Sequence, residues 1–172
     1  SEFRLSLVGA GMCIRDRPTP AERAVRALGL DLGSKRVGVA VSDSDGLVAT
    51  PIEVLQRSGD QRGDHRRIAA LVDEWEANVV VVGIPYSLDG SVGSMARKMG
   101  AEAEALAAHL AVPVETYDER LTTVTAQRSL IELDLTGPRR RQIVDMVAAA
   151  VMLQAWLDGR RGRAGVPEAE DG

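Results

Sequence analysis

The sequence predicts an α/β fold: a mixed five-stranded sheet with helices on both faces. Three observations carry this. Leu28–Ser42 is a pair of alternating runs joined by a glycine-led turn, the signature of a β-hairpin. Val79-Val80-Val81-Val82-Gly83-Ile84 is an unbroken, mostly β-branched run, as expected of a central parallel strand covered on both faces. Between the strand candidates, apolar residues recur at the three- and four-residue spacings of amphipathic helices.

In the first run Leu28, Leu30 and Leu32 share one face, and Gly29, Asp31 and Gly33 share the other. Gly33-Ser34-Lys35 makes the turn, and Val37, Val39 and Val41 resume the alternation around Gly38 and Ala40. A third strand spans residues 47–55, with Pro51 pushing it to an edge. Residues 56–64 read as a polar loop. Ile68, Leu71, Val72 and Trp75 then mark a helix that ends by Asn78. After the valine run, residues 85–93 form a Gly- and Ser-rich loop. Met95, Met99, Ala103, Leu106 and Leu110 define the next helix. A short strand over residues 112–117 leads into Asp118-Glu119-Arg120. A helix is expected from about Thr123 to Leu133, then a turn at Gly137. Pro138 suits the first position of a last helix reaching about Asp158. The order is β-β-β-α-β-α-β-α-α, a meander followed by βαβ crossovers.

A chain of 172 residues suits one domain with a substantial core. Residues 1–26, where Ser1-Glu2-Phe3 resembles a cloning scar, show no sustained periodicity and are expected to be a disordered extension. Residues 27–159 form the domain, and the Gly-, Pro- and acid-rich residues 160–172 a disordered tail. With 3% aromatic residues, a surface of stacked bases is not the main recognition device. A net charge of −4 argues against binding nucleic acid by overall charge and leaves room for a local basic patch beside an acidic site. The lone Cys13 excludes an internal disulfide framework and suits a reducing cytoplasm. No apolar run approaches the length of a membrane span, so no membrane partner is expected.

Asp31, Asp118, Glu119 and Asp145 fall where a structural explanation is weakest. Asp31 lies in an apolar strand between two bare glycine positions, which let a bulky group approach the backbone. Asp118 and Glu119 lie at the end of the last strand. Asp145 interrupts a helix apolar nearly all round, too far from its start to cap it. Each has a structural alternative: an Asx-turn for Asp31, a surface pair with Arg120 for Asp118 or Glu119, a salt bridge to Arg128, Arg139 or Arg141 for Asp145. Together, carboxylates from a first strand, a late strand end and a C-terminal helix can converge at one sheet edge. Such hard oxygen ligands hold Mg²⁺ or Mn²⁺, and two ions ~3.5–4 Å apart drive phosphodiester hydrolysis. Lys35, Arg36, Arg120, Thr122, Arg139, Arg140 and Arg141 are the candidate nucleic-acid contacts. The arginine run opposes the dipole of the helix it opens, a small cost that an anionic partner would offset. His65 and His109 sit among polar helix residues far apart in sequence, which argues against a histidine-based site.

Four motifs in order, LGLDLGSKRVGVAVSD, VVVGIP with LDGSVG, YDERLTTVTAQ and VDMVAAAVMLQAWLD, resemble those of the YqgF/RuvX family. These are Holliday-junction-resolvase-like proteins of the RNase H-like superfamily, and the resemblance spans about Leu28–Asp158. It implies an RNase H-like fold and a divalent-metal nuclease, usually assigned to 5′-end maturation of pre-16S rRNA, with junction resolution proposed for some members. By motif match the metal ligands are Asp31, Glu119 and Asp145, with Asp118 a close second to Glu119. Strand parity agrees, placing Glu119 on the face of Glu115 and Tyr117. The expected partner is structured RNA or branched DNA, with the protein a monomer or homodimer.

Two other classes compete. An ATP-binding phosphotransferase of the sugar kinase, actin and chaperone superfamily shares the Asp-x-Gly hairpin, yet needs two such domains, and this chain has room for one. A non-catalytic RNA-binding assembly factor would keep the fold and the basic residues without cleavage.

Overall fold

The strand candidates form because their alternation sorts side chains by size onto the two faces of one sheet. The computed structural model describes residues 25–87, 89–121 and 137–164. Its strands are β1 (Ala27–Leu32), β2 (Arg36–Ser42), β3 (Ala49–Gln56), β4 (Val79–Ile84) and β5 (Val114–Asp118). Its helices are α1 (Gln61–Glu74), α2 (Ser94–His109) and α3 (Pro138–Ala164), and a 3₁₀ turn covers Glu119–Leu121. The sheet order is β3-β2-β1-β4-β5. β1, β2 and β3 form the antiparallel meander, while β4 runs parallel to both β1 and β5. The expected mixed five-stranded α/β sheet is therefore present, in the RNase H-like arrangement.

One face is aliphatic. Leu28, Leu30, Leu32, Val37, Val39, Val80, Val82 and Ile84 pack there with Ile68 and Val72 of α1 and Leu106 of α2. The other face is bare by comparison: Ala27, Ala40, Val79 and Val81 meet Ala149, Met152, Leu153 and Trp156 of α3. Small residues on β1 and β2 let α3 lie close to the backbone. A Cβ on Gly29 would stand 2.8 Å from the Cβ of Leu153, and one on Gly38 would collide with the Asp145 carbonyl oxygen.

Several boundaries differ from expectation. Val25, the first described residue, is already buried, and the Arg26 carbonyl accepts from the Asn78 amide at 2.8 Å. Helix α1 begins at Gln61 because the Asp60 carboxylate caps it, accepting from the amides of Arg62 and Gly63. The polar residues 61–64, read as loop, are its first turn. Helix α3 runs on to Ala164, so residues 160–164 are helical rather than tail. Pro51 does lie on an edge strand, where the register slips between Val39 and Ala40. Residues 1–24, the helix expected at 123–133, Thr122 and residues 165–172 lie outside the described residues.

Candidate active site

Asp31 sits at the C-terminal end of β1, opposite Gly38 of β2 in the antiparallel register. On its other side β1 pairs with β4, Leu30 against Val82, and Gly83 is the residue that follows Val82. The carboxylate thus stands between two glycines on neighbouring strands. Each glycine lies beneath another candidate acid. A Cβ on Gly83 would come within 2.6 Å of the Glu119 Oε1, and the Gly38 position lies under the backbone of Asp145. A side chain at either glycine would occupy the ground the acids need. The sequence folds this way because Asp31, Gly38 and Gly83 belong to the sparse face that α3 covers.

Asp31 and Glu119 are 8% and 5% exposed, so both carboxylates are largely withdrawn from water. Glu119 follows β5 in the 3₁₀ turn. It shares the α3 face with Glu115, whose carboxylate accepts from the Trp156 indole N–H at 3.0 Å. Asp145, with 24% of its side chain exposed, accepts from the Arg36 Nε at 2.7 Å. Its partner is therefore the residue after the β1–β2 turn, not an arginine of its own helix.

Asp118 has a different occupation. Arg120 grips its carboxylate through Nε at 3.0 Å and through its terminal nitrogen at 2.5 Å, and the Arg120 amide donates to the same carboxylate. The guanidinium also lies over the Tyr86 ring, 5.4 Å from its centroid. The Arg120 side-chain hydrogen bonds hold the Asp118 carboxyl below its usual pKa, against the opposing pull of burial. A depressed carboxyl stabilises the folded state above the unfolded pKa of about 3.9 and loses that contribution as pH falls through the lower folded value. We therefore expect a carboxyl NMR titration of Asp118 to fall below the ordinary aspartate midpoint, and to return to it in Arg120→Ala.

The donor chemistry suits a hard divalent cation: Asp31 and Glu119 are buried carboxylates and Asp145 a partly buried one, all oxygen donors. Among the described residues, however, no group of three acids, histidines or cysteines stands close enough to hold a metal as placed. Asp145 is engaged by Arg36. A cation bridging all three acids would have to compete with that guanidinium.

At Asp145 opens a groove of about 960 Å³, lined also by Lys35, Arg36, Arg140 and Arg141 among others. Four of the sequence-predicted nucleic-acid residues meet there. Arg139 is exposed but does not line it, and Arg120 belongs to the Tyr86 and Ser87 side of the molecule. Gly137, at φ +96°, and Pro138 shape the groove's far end.

Sequence reasoning missed a buried polar cluster on the opposite face. Arg57 binds both carboxylate oxygens of Glu102, at 2.8 and 2.9 Å, and Asp64 and His65 are buried beside them. His65 is not a surface histidine, and its ring centroid lies 6.1 Å from that of His109. The signal was present. Asp64 and His65 stand four and three residues before Ile68 on the apolar stripe of α1, and Glu102 lies among Met99, Ala103 and Leu106 on that of α2.

This sheet order, with helices on both faces, defines an RNase H-like fold. The family described as RuvX, Holliday junction resolvase, matches residues 25–159, and the chain belongs to it. A Mycobacterium ulcerans (strain Agy99) protein with the provisional name pre-16S rRNA nuclease is 46% identical over 167 residues, 92% of this chain and 97% of its own. A Myxococcus xanthus (strain DK1622) protein of the same name is 45% identical over 137 residues, 80% of this chain and 90% of its own. Among solved structures, Thermus thermophilus RuvC in complex with a Holliday junction substrate aligns with a TM-score of 0.53 at 19% identity. That alignment covers 83% of this chain and 97% of RuvC, and it supports the fold.

Proposed function

We propose that the protein is a divalent-metal-dependent nuclease that acts in 5′-end processing of pre-16S rRNA, in a cytoplasmic setting. The observation that carries this is the groove that sets Asp145, whose backbone lies over Gly38 opposite Asp31, among Lys35, Arg36, Arg140 and Arg141. The names of the relatives supply the substrate.

In this reading Lys35, Arg140 and Arg141 take the phosphates of the strand, and the basic wall offsets the repulsion between that strand and the acids. Arg36 holds the Asp145 carboxylate in place at the groove. Asp31, Glu119 and Asp145 would hold the cation, which supplies activation of water and stabilisation of the leaving oxygen. The buried setting of Asp31 and Glu119 limits where the scissile phosphate can sit. Asp118, committed to Arg120, positions the 3₁₀ turn that carries Glu119 and is not itself a ligand.

The deciding experiment compares cleavage of a pre-16S leader RNA, a four-way DNA junction and linear duplexes in Mg²⁺ and Mn²⁺. Preference for the leader supports the proposal. Preference for the junction favours the second reading, resolution of Holliday junctions, which the description of the family motivates and which would require a two-fold dimer. Binding without cleavage would make the protein an RNA-binding assembly factor. We further expect Lys35→Ala, Arg140→Ala and Arg141→Ala each to lower the slope of log Kd against log salt by about 1. An unchanged slope in all three would remove the groove from the binding surface.

A further inference from the structure

Beneath the β1–β2 turn, on the face opposite α3, Arg57 links that turn to α1 and α2. Its Nε donates to the Gly33 carbonyl at 2.7 Å, and its own amide donates to the Lys35 carbonyl at 2.9 Å. The two terminal nitrogens fork onto Glu102 of α2. Asp64 of α1 lies 3.9 Å from the same guanidinium, and His65 Nε2 lies 3.4 Å from Glu102. Burial pushes Asp64 up, but hydrogen bonds from the Ser58 amide and hydroxyl, with the charges of Arg57 and Arg67, outweigh it and hold the carboxyl below its usual range. Glu102 and Asp64 have side chains only 6% exposed, and Arg57 is 16% exposed. A buried ion pair of this kind contributes little net stability against apolar replacements, so its value lies in fixing geometry.

The turn it fixes is the one that enters the groove. Gly33 and Ser34 line the groove, Lys35 and Arg36 follow them, and Arg36 reaches on to Asp145. We propose that Arg57 is a positioning residue for the nucleic-acid site: it anchors the β1–β2 turn to α2 and so sets Lys35 and Arg36 against the substrate. The inference rests on the reading of that groove as the nucleic-acid surface. Only an arginine fits the role, because one planar fork must serve a carbonyl and both oxygens of a carboxylate. A lysine ammonium can reach one or the other.

The test uses Arg57→Lys and the paired variant Arg57→Met with Glu102→Met, which removes the brace without leaving an unpaired buried charge. Amide hydrogen exchange of the full chain is measured first. We expect exchange at Gly33, whose amide donates to the Arg36 carbonyl, to rise at least tenfold in both variants, with Val80–Val82 of β4 unchanged. Unaltered exchange at Gly33 overturns the proposal whatever the substrate. Binding of a fluorescent hairpin RNA is measured second, against salt. The paired variant is expected to lose the same fraction of the salt slope as Lys35→Ala, and combining the two should add less than twofold in Kd. Independent, multiplying losses would overturn the positioning role. Failure of the wild type to bind the RNA at all would instead strike the reading of the groove, leaving the exchange result to decide the brace.

Discussion

Asp31→Asn is expected to lower kcat by on the order of 10³-fold or more, with the melting temperature kept within a few degrees of the parent. The amide replaces a carboxylate of the same shape between Gly38 and Gly83, so packing under α3 is unchanged while a hard anionic ligand is lost. Asp145→Asn should match it in activity. It will differ in charge balance, because Arg36 loses its anionic partner and its guanidinium is released towards the groove. Excess chelator should silence the parent enzyme, and restored Mg²⁺ or Mn²⁺ should revive it. Cleavage that survives in both variants, or in chelator, would sink the metal mechanism. Steady-state rates beside thermal melts separate this loss from unfolding.

The second large effect concerns two glycines, and its two halves should split. At Gly83 an alanine methyl would stand 2.6 Å from Glu119 Oε1, the far end of a side chain that can turn away. We expect Gly83→Ala to cost little stability and most of the activity, since Glu119 must leave its place. At Gly38 the methyl would meet the backbone of Asp145, which cannot move without lifting α3. Gly38→Ala should therefore cost at least about 1–3 kcal/mol of overpacking strain. For a domain of this size each kcal/mol lowers Tm by roughly 2–4 °C. Urea melts and turnover measured on the same samples check the pair. Equal stability losses at both positions would mean that Glu119 is as rigid as the helix backbone.

What the sequence disclosed was the outcome of periodicity. Alternation in 28–42 placed the leucines and Asp31 on opposite faces, and the apolar surroundings of Asp145 marked it as a residue needing a partner. The partner itself was hidden. Arg36 and Asp145 are 109 residues apart, and only the docking of α3 on β2 brings them together. Helix boundaries slipped where a single side chain decided them, as Asp60 did for α1. The Arg57 cluster was illegible for another reason. Charged residues on amphipathic helices usually face water, and only their phase against Ile68 and Leu106 distinguishes Asp64, His65 and Glu102 from that pattern.

The sparse face of β1 and β2 has a consequence for the order in which the protein matures. Gly29, Gly38 and Ala40 offer little apolar surface of their own, and what covers them is α3, the last helix among the described residues. As the polypeptide emerges from a ribosome, the meander and its aliphatic side can collapse early on α1 and α2, through contacts of short sequence separation. Asp31 then waits on an open wall until residues 145–157 arrive, more than a hundred positions later. The face that carries Asp31 is thus the last side of the sheet to be covered.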